Sequence, residues 1–155
     1  MEKQEIKIIV NNKKASYEYF LSDFLECGIE LKGTEIKSLR RNGASLNESY
    51  VICKNGQMYI LLMNIPLYEK GNIFNHDPVR TRKLLLHKKE IEKYSRKVQE
   101  KGFTIVATKV YLKGGKAKVE IALAKGKKLY DKRETEKQKS IKREVDSHLK
   151  LNNKY

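Results

Sequence analysis

FTIVATKVYLKGGKAKVEIALA, residues 103–124, decides how this chain folds. Gly114-Gly115 supplies two adjacent residues free to take the positive φ that a two-residue hairpin turn requires. The arms around it are rich in Val, Ile, Tyr and Thr. Lys118-Val119-Glu120-Ile121-Ala122-Leu123 alternates, so one face points into a core and the other to solvent. Upstream the arrangement repeats, with Asn55-Gly56 between SYVICK and QMYILLMNI. Two hairpins give four strands.

The neighbouring segments complete a small domain. YEYFLSDFLECGIEL (17–31) suits a fifth strand or, through Phe20, Phe24 and Cys27, a helix. Thr34 is placed to cap a helix over 35–41 that ends at Gly43, with Ile36 and Leu39 on one side. Residues 88–101 set Ile91, Tyr94 and Val98 at i, i+3 and i+7, and close on Gly102. Pro66 and Pro78 bracket a loop between these elements. Strands closing around helices point to a mainly β fold, an OB-type Greek-key β-barrel flanked by two or three helices. An α+β sandwich fits the same elements.

Residues 131–155 differ in kind. Thirteen of these 25 residues are Lys, Arg, Asp or Glu, too polar a segment to offset ordering at roughly 1–2 kcal/mol per residue. Ile141, Val145 and Leu149 nevertheless fall at i, i+4, i+8. The expectation is a body, 1–130, and a basic tail, 131–155, disordered when free and helical once a partner covers that stripe.

Thirty-four Lys and Arg stand against 19 Asp and Glu, a net charge of +15, which calls for a polyanionic partner. No stretch approaches the roughly 18 apolar residues of a membrane span, and no signal-peptide core is present, so a cytoplasmic location is expected. Cys27 and Cys53, with no CxxC spacing, read as small core thiols of a reducing compartment. The three His form no ligand-spaced motif, and no phosphate-binding GxxxxGK[ST] loop occurs. No enzyme, catalytic residue, metal or cofactor is expected.

Two basic clusters remain. Arg80-Thr81-Arg82-Lys83 offers guanidinium forks and an ammonium suited to phosphate oxygens, or else a solvated run beside buried leucines. KGKKLYDKR (125–133) sets Tyr130 among five cations, where its ring can stack on an unpaired base.

Taken together, NKKASYEYF (12–20), GTEIKSLRRNGASLNESYV (33–51), DPVRTRKLLLHKKEI (77–91) and AKGKKLYDKRE (124–134) resemble the SmpB family, the SsrA-binding or tmRNA-binding proteins of bacterial trans-translation. The resemblance runs from about residue 12 to 150. It implies the OB-type barrel and makes 17–31 a strand. It implies binding to the tRNA-like domain of tmRNA and delivery to stalled ribosomes, the body replacing the missing anticodon-stem part. On that resemblance, Lys13, Lys14, Tyr19, Glu26, Arg80, Arg82, Lys83, Leu85 and His87 contact tmRNA. Lys127, Lys128, Tyr130, Asp131, Lys132 and Arg133 meet small-subunit rRNA at the decoding centre, while Ile141, Val145 and Leu149 lie in the empty mRNA channel. Elongation factor Tu and alanyl-tRNA synthetase become partners through tmRNA. A general single-strand-binding module and an RNA-processing enzyme are the rival classes.

Overall fold

The computed structural model describes residues 5–71 and 75–127. Lys128, Tyr130, Asp131, Lys132, Arg133, Ile141, Val145 and Leu149, and with them the tail and its boundary at 130/131, lie outside the described residues.

The elements are β1 (Ile6–Asn11), α1 (Lys13–Glu18), β2 (Tyr19–Ile29), α2 (Gly33–Asn42) and β3 (Tyr50–Lys54), then β4 (Gln57–Leu61), β5 (Arg82–Leu85), α3 (Lys88–Lys101), β6 (Thr104–Lys113) and β7 (Lys116–Gly126). The strands are ordered β6-β3-β4-β5-β2-β7, and β6 pairs again with β7, so the sheet closes into the expected barrel. β1 lies outside the ring, paired with residues 109–113 of β6. Closure leaves the six strands of the ring without an open edge, and among the described strands only β1 keeps one.

The turn chemistry carries through. Lys54 pairs with Gln57 across Asn55 and Gly56, and Lys113 with Lys116 across Gly114 and Gly115. All four turn residues have φ between 52° and 78°. α3 covers the expected residues, and Gly102 ends it in the left-handed conformation at φ 68°.

The observed elements depart from the expected ones at four places. Thr34 does not cap α2. The helix starts earlier, at Gly33, with the Lys32 backbone N–H donating to Glu35 Oε1 at 2.8 Å. The Thr34 hydroxyl instead meets buried His76, 3.0 Å from its Nδ1, while His76 Nε2 donates to the Ile65 carbonyl at 2.9 Å. Residues 13–18 are helical, so β2 begins at Tyr19 rather than 17. Residues 82–85, assigned to no helix or strand from the sequence, form strand β5 between β4 and β2. β1, finally, adds a strand that the two hairpins did not announce.

The barrel interior holds one apolar cluster, including Cys27, Ile29, Met58, Ile60, Leu84, Ile105, Val110, Val119, Ile121 and Leu123, joined by Leu39 of α2 and Ile91 and Tyr94 of α3. A second, small cluster lies on the outside of the wall, where Ala15 of α1 packs on Val106 and Ala124 with Tyr19 and Leu21 beside them.

Two bulges make both clusters possible. Along β2 the register slips by one residue between Ser22 and Leu25, where Asp23 takes φ 50°. Along β6 it slips between Ala107 and Lys109. Each extra residue reverses which side chains face inward. Tyr19 and Leu21 therefore lie outside under α1, whereas Leu25, Cys27 and Ile29 face the core. Val106 likewise faces out, and Val110 and Leu112 face in. At each bulge a freed backbone carbonyl finds a donor. Tyr94 donates its hydroxyl proton to the Asp23 carbonyl, and Asn12 donates its backbone N–H to the Thr108 carbonyl at 2.7 Å. The Asn12 side chain also donates Nδ2 to the Ala107 carbonyl at 2.9 Å and accepts the Ala15 N–H at 3.1 Å. One buried amide thus caps α1 and fixes it to the β6 bulge.

Candidate nucleic-acid interface

Downstream of the bulges, the outer faces of β5, β2, β7 and β6 form one continuous surface. Cross-strand register places Lys109, Glu120 and Glu26 in one row and Tyr111, Lys118 and Gly28 in the next. Gly28 in turn pairs with Leu85 of β5. Leu85 is half exposed and covers Gly28 closely; a Cβ at Gly28 would sit 3.2 Å from the Leu85 Cβ. Lys83 is the next outward residue on β5.

Glu26 is the focus of this surface. Its Oε2 accepts the Tyr111 hydroxyl proton and lies 3.4 Å from Lys113 Nζ. Tyr111 lowers the Glu26 pKa; burial opposes this, and Lys113 reinforces it. The Tyr111 phenol is pushed up, first by burial and then by the carboxylate it serves. Beside it in the same row, Glu120 accepts the Thr108 hydroxyl proton at 2.8 Å and pairs with Lys109 at 3.5 Å. Exposed pairs of this kind are worth about 0–1 kcal/mol. Lys109 and Lys113 can therefore turn toward a phosphate at little cost, which leaves the surface ready for a polyanion.

The residues expected at the interface divide. Glu26, Lys83 and Leu85 share this outer face, with exposed His87 just past Leu85 at the start of α3. Lys13 and Lys14 are exposed in the first turn of α1, which lies on the same wall; Lys14 is 4.0 Å from Glu48. Tyr19 is half-buried beneath α1. Lys127 is tied back, its N–H donating to the Glu18 carbonyl at 2.8 Å and its Nζ to the Ser16 carbonyl at 3.1 Å.

Arg80 and Arg82 do not belong to a free basic patch. Arg82 faces the core with no exposed surface, donates Nε to Glu35 Oε2 and Nη2 to the Pro78 carbonyl at 3.1 Å, and cannot reach a phosphate. Arg80 donates Nη2 to Glu35 Oε1 at 2.6 Å. Burial pushes the Glu35 carboxyl up, but the Arg80 guanidinium, the Lys32 N–H and Arg82 together hold it below its usual value. The basic run at 80–83 is half anchor and half surface.

Reading the sequence missed Tyr111, Lys109, Lys113, Lys118 and Glu120, although all lie in the hairpin at 103–124. A period-two reading through the β6 bulge puts Lys109 and Tyr111 on the same face as Ile105, and only the extra residue shows otherwise. Asn12 and Glu35 were also missed; a lone Asn before a helix and a Glu in its first turn look like ordinary caps. Among the described residues no group of three His, Cys, Asp or Glu could hold a metal ion, and no helix is long and apolar enough to cross a membrane.

Comparison with known proteins points the same way. Residues 9–151 match the family described as SmpB protein. The SsrA-binding protein of Caldanaerobacter subterraneus subsp. tengcongensis is 52% identical over 149 residues, covering 96% of this chain and 94% of that protein. That of Acetivibrio thermocellus is 50% identical over 152 residues, covering 98% and 99%. That of Staphylococcus epidermidis is 50% identical, covering 92% and 91%. A chain from the solved structure "tmRNA-SmpB: a journey to the center of the bacterial ribosome" superposes with a TM-score of 0.65 at 43% identity, over 77% of this chain and 85% of that one.

Proposed function

The chain belongs to the SmpB family, and we infer from this that it binds tmRNA and serves trans-translation on the ribosome. It is an RNA-binding adaptor, and it works in the cytoplasm. Its RNA ligand is the tRNA-like domain of tmRNA, and the barrel stands in for the anticodon-stem part that this RNA lacks. Elongation factor Tu and alanyl-tRNA synthetase act alongside it through tmRNA.

The observation that carries this reading is the outer wall of β5, β2, β7 and β6. It combines weakly paired cations for phosphates, a hydrogen-bonded carboxylate for a base N–H, and Leu85 as an apolar contact. A phosphate-only binder would have no use for Glu26 at the centre of its surface, since an acidic group there repels the backbone it must hold. We assign tmRNA contacts to Glu26, Lys83, Leu85 and His87, with Lys13, Lys14 and Tyr19 extending the surface across α1. Arg80 contributes at the edge.

The C-terminal segment carries the second role. Lys127, Lys128, Tyr130, Asp131, Lys132 and Arg133 meet small-subunit rRNA at the decoding centre, with the Tyr130 ring stacking on a base. Ile141, Val145 and Leu149 line a helix that forms in the mRNA channel once the message has ended. Charge density and the i, i+4, i+8 stripe support this assignment.

The test separates the two halves. Truncation after Arg133 should leave affinity for the tRNA-like RNA within about twofold and abolish tagging in a reconstituted assay with ribosomes stalled at a message end. Continued tagging would remove the channel role. Equal affinity of the full chain for the tRNA-like RNA and for a poly-pyrimidine strand of the same length would remove the adaptor reading altogether, in favour of a general single-strand binder.

A further inference from the structure

The carboxylate at the centre of the interface is held by one residue that no motif singles out. Tyr111 rises from β6 opposite Lys118 of β7, with Lys109 Nζ 5.9 Å from its ring centroid, and its hydroxyl reaches Glu26 on β2, 85 positions earlier in the chain. Tyr111 is 5% exposed, so its ring is fixed by packing and the hydroxyl has little freedom of direction. Lys113, two residues along the same strand, adds a longer contact to the same oxygen. Glu26 Oε2 thus has both of its lone pairs engaged, whereas Oε1 accepts no hydrogen bond from the described residues.

That asymmetry has a chemical meaning. A carboxylate free to rotate presents two equivalent oxygens and loses side-chain entropy when RNA fixes it. Here one oxygen is committed to the protein and the other is left without a bond from the described residues, on a side chain that is 36% exposed. We propose that Tyr111 is the positioning residue of Glu26, aiming Oε1 at a single N–H donor of a nucleobase in the bound RNA. A two-point guanine edge, which needs both oxygens, is disfavoured by the same arrangement. The inference rests on the reading that this wall is the tmRNA surface.

Lys113 and Tyr111 divide the labour. The lysine is a third exposed and bonds at 3.4 Å, so it supplies charge but little direction. The phenol is buried and bonds closely, so it supplies direction. Tyr111 never touches RNA; it acts only through Glu26. The β6 bulge is what permits this, because without the extra residue at Thr108 the Tyr111 ring would point into the barrel.

A double-mutant cycle on the full chain tests the assignment, with the tRNA-like domain of tmRNA as the RNA probe. The expected losses in affinity are about tenfold for Glu26→Gln and about three- to tenfold for Tyr111→Phe. The double variant should bind no more weakly than Glu26→Gln alone, because with NH2 in place of the second oxygen the phenol has no acceptor left to aim at the RNA. Losses that multiply in the double variant would overturn the assignment, since Tyr111 would then act independently of Glu26. A second readout is the titration of the Glu26 carboxyl by NMR. In Tyr111→Phe it should move up toward the ordinary glutamate range; an unchanged titration would also overturn the proposal. Lys113→Met, which leaves the ring in place, guards against a folding artefact. It should weaken binding less than Tyr111→Phe does and lose part of its salt dependence; the reverse order would show that charge rather than direction holds Glu26. If Glu26→Gln binds as wild type does while the tRNA-like RNA is still preferred over a single strand, the positioning role fails and the adaptor function stands. Loss of that preference in the wild type would instead bring down the functional reading itself.

Discussion

Replacing Glu35 by Gln keeps the shape of the side chain and removes its charge, which makes it the sharpest probe of how the 78–85 segment is held. Glu35 and Arg82 have no exposed surface, so neither charge can be hydrated in the folded protein. Arg82 would keep its bonds to the Met63 and Pro78 carbonyls but lose its counterion. Removing one partner from a buried pair costs about 3–5 kcal/mol, because the other charge remains buried and uncompensated. At about 2–4 °C per kcal/mol for a chain of this length, the midpoint should fall by roughly 6–20 °C. Urea denaturation followed by circular dichroism measures the loss directly.

The same variant has a pH signature. The Glu35 carboxyl is held below its usual value in the folded protein. Its contribution to stability is therefore complete above the unfolded-state pKa, about 4.3, and is lost as pH falls through the lower folded value. Wild type and Glu35→Gln should differ fully at pH 7, and the difference should begin to shrink as pH falls below about 4. A difference under about 1 kcal/mol at pH 7, or one that persists unchanged to pH 3, would refute the account of Glu35 as the ionic anchor of β5.

Two further outcomes follow from the surface and its supports. Asn12→Ala removes the cap of α1 and the Nδ2 donor to the Ala107 carbonyl; a capping loss of 0.5–2 kcal/mol plus one buried bond predicts about 2 kcal/mol by urea denaturation, and a loss under about 0.5 would mean water replaces both. Replacing Lys109 and Lys118 together by Ala should flatten the dependence of RNA affinity on salt by about 0.9 in the log–log slope per phosphate contact removed, whereas the same change at Lys54 and Lys101, exposed away from this wall, should leave the slope unaltered.

What could be read from the chain was what its local chemistry dictates. Asn55-Gly56 and Gly114-Gly115 announce their turns because few other residues take positive φ at both central positions. Ile91, Tyr94, Val98 and Gly102 announce α3 by period and by its stop. β5 stayed hidden because it is short and because Arg82 occupies a core-facing position where the pattern calls for an apolar residue. Its burial makes sense only once Glu35, 47 residues earlier, is in place. The same long-range pairing misled the reading of 80–83 as an open cationic run. β1 alternates weakly and lies at the edge of the barrel, where little packing constrains it. In the candidate interface, Glu26, Lys83 and Leu85 were accessible through family resemblance, but the Tyr111 row was not, because periodicity carries no mark of where a strand takes an extra residue.

The bulge in β2 bears on how such a chain can change over generations. Ahead of it, Tyr19 and Leu21 are held beneath α1; beyond it, Cys27 and Ile29 are held in the core. Deleting one residue between Ser22 and Leu25 would not merely shorten the strand. It would turn one of these two anchored stretches inside out, carrying Glu26 into the barrel or stripping α1 of its footing. Substitutions can drift through Phe24, which is largely exposed, but the number of residues from Tyr19 to Glu26 cannot. Along this strand the fold constrains residue count more tightly than residue identity.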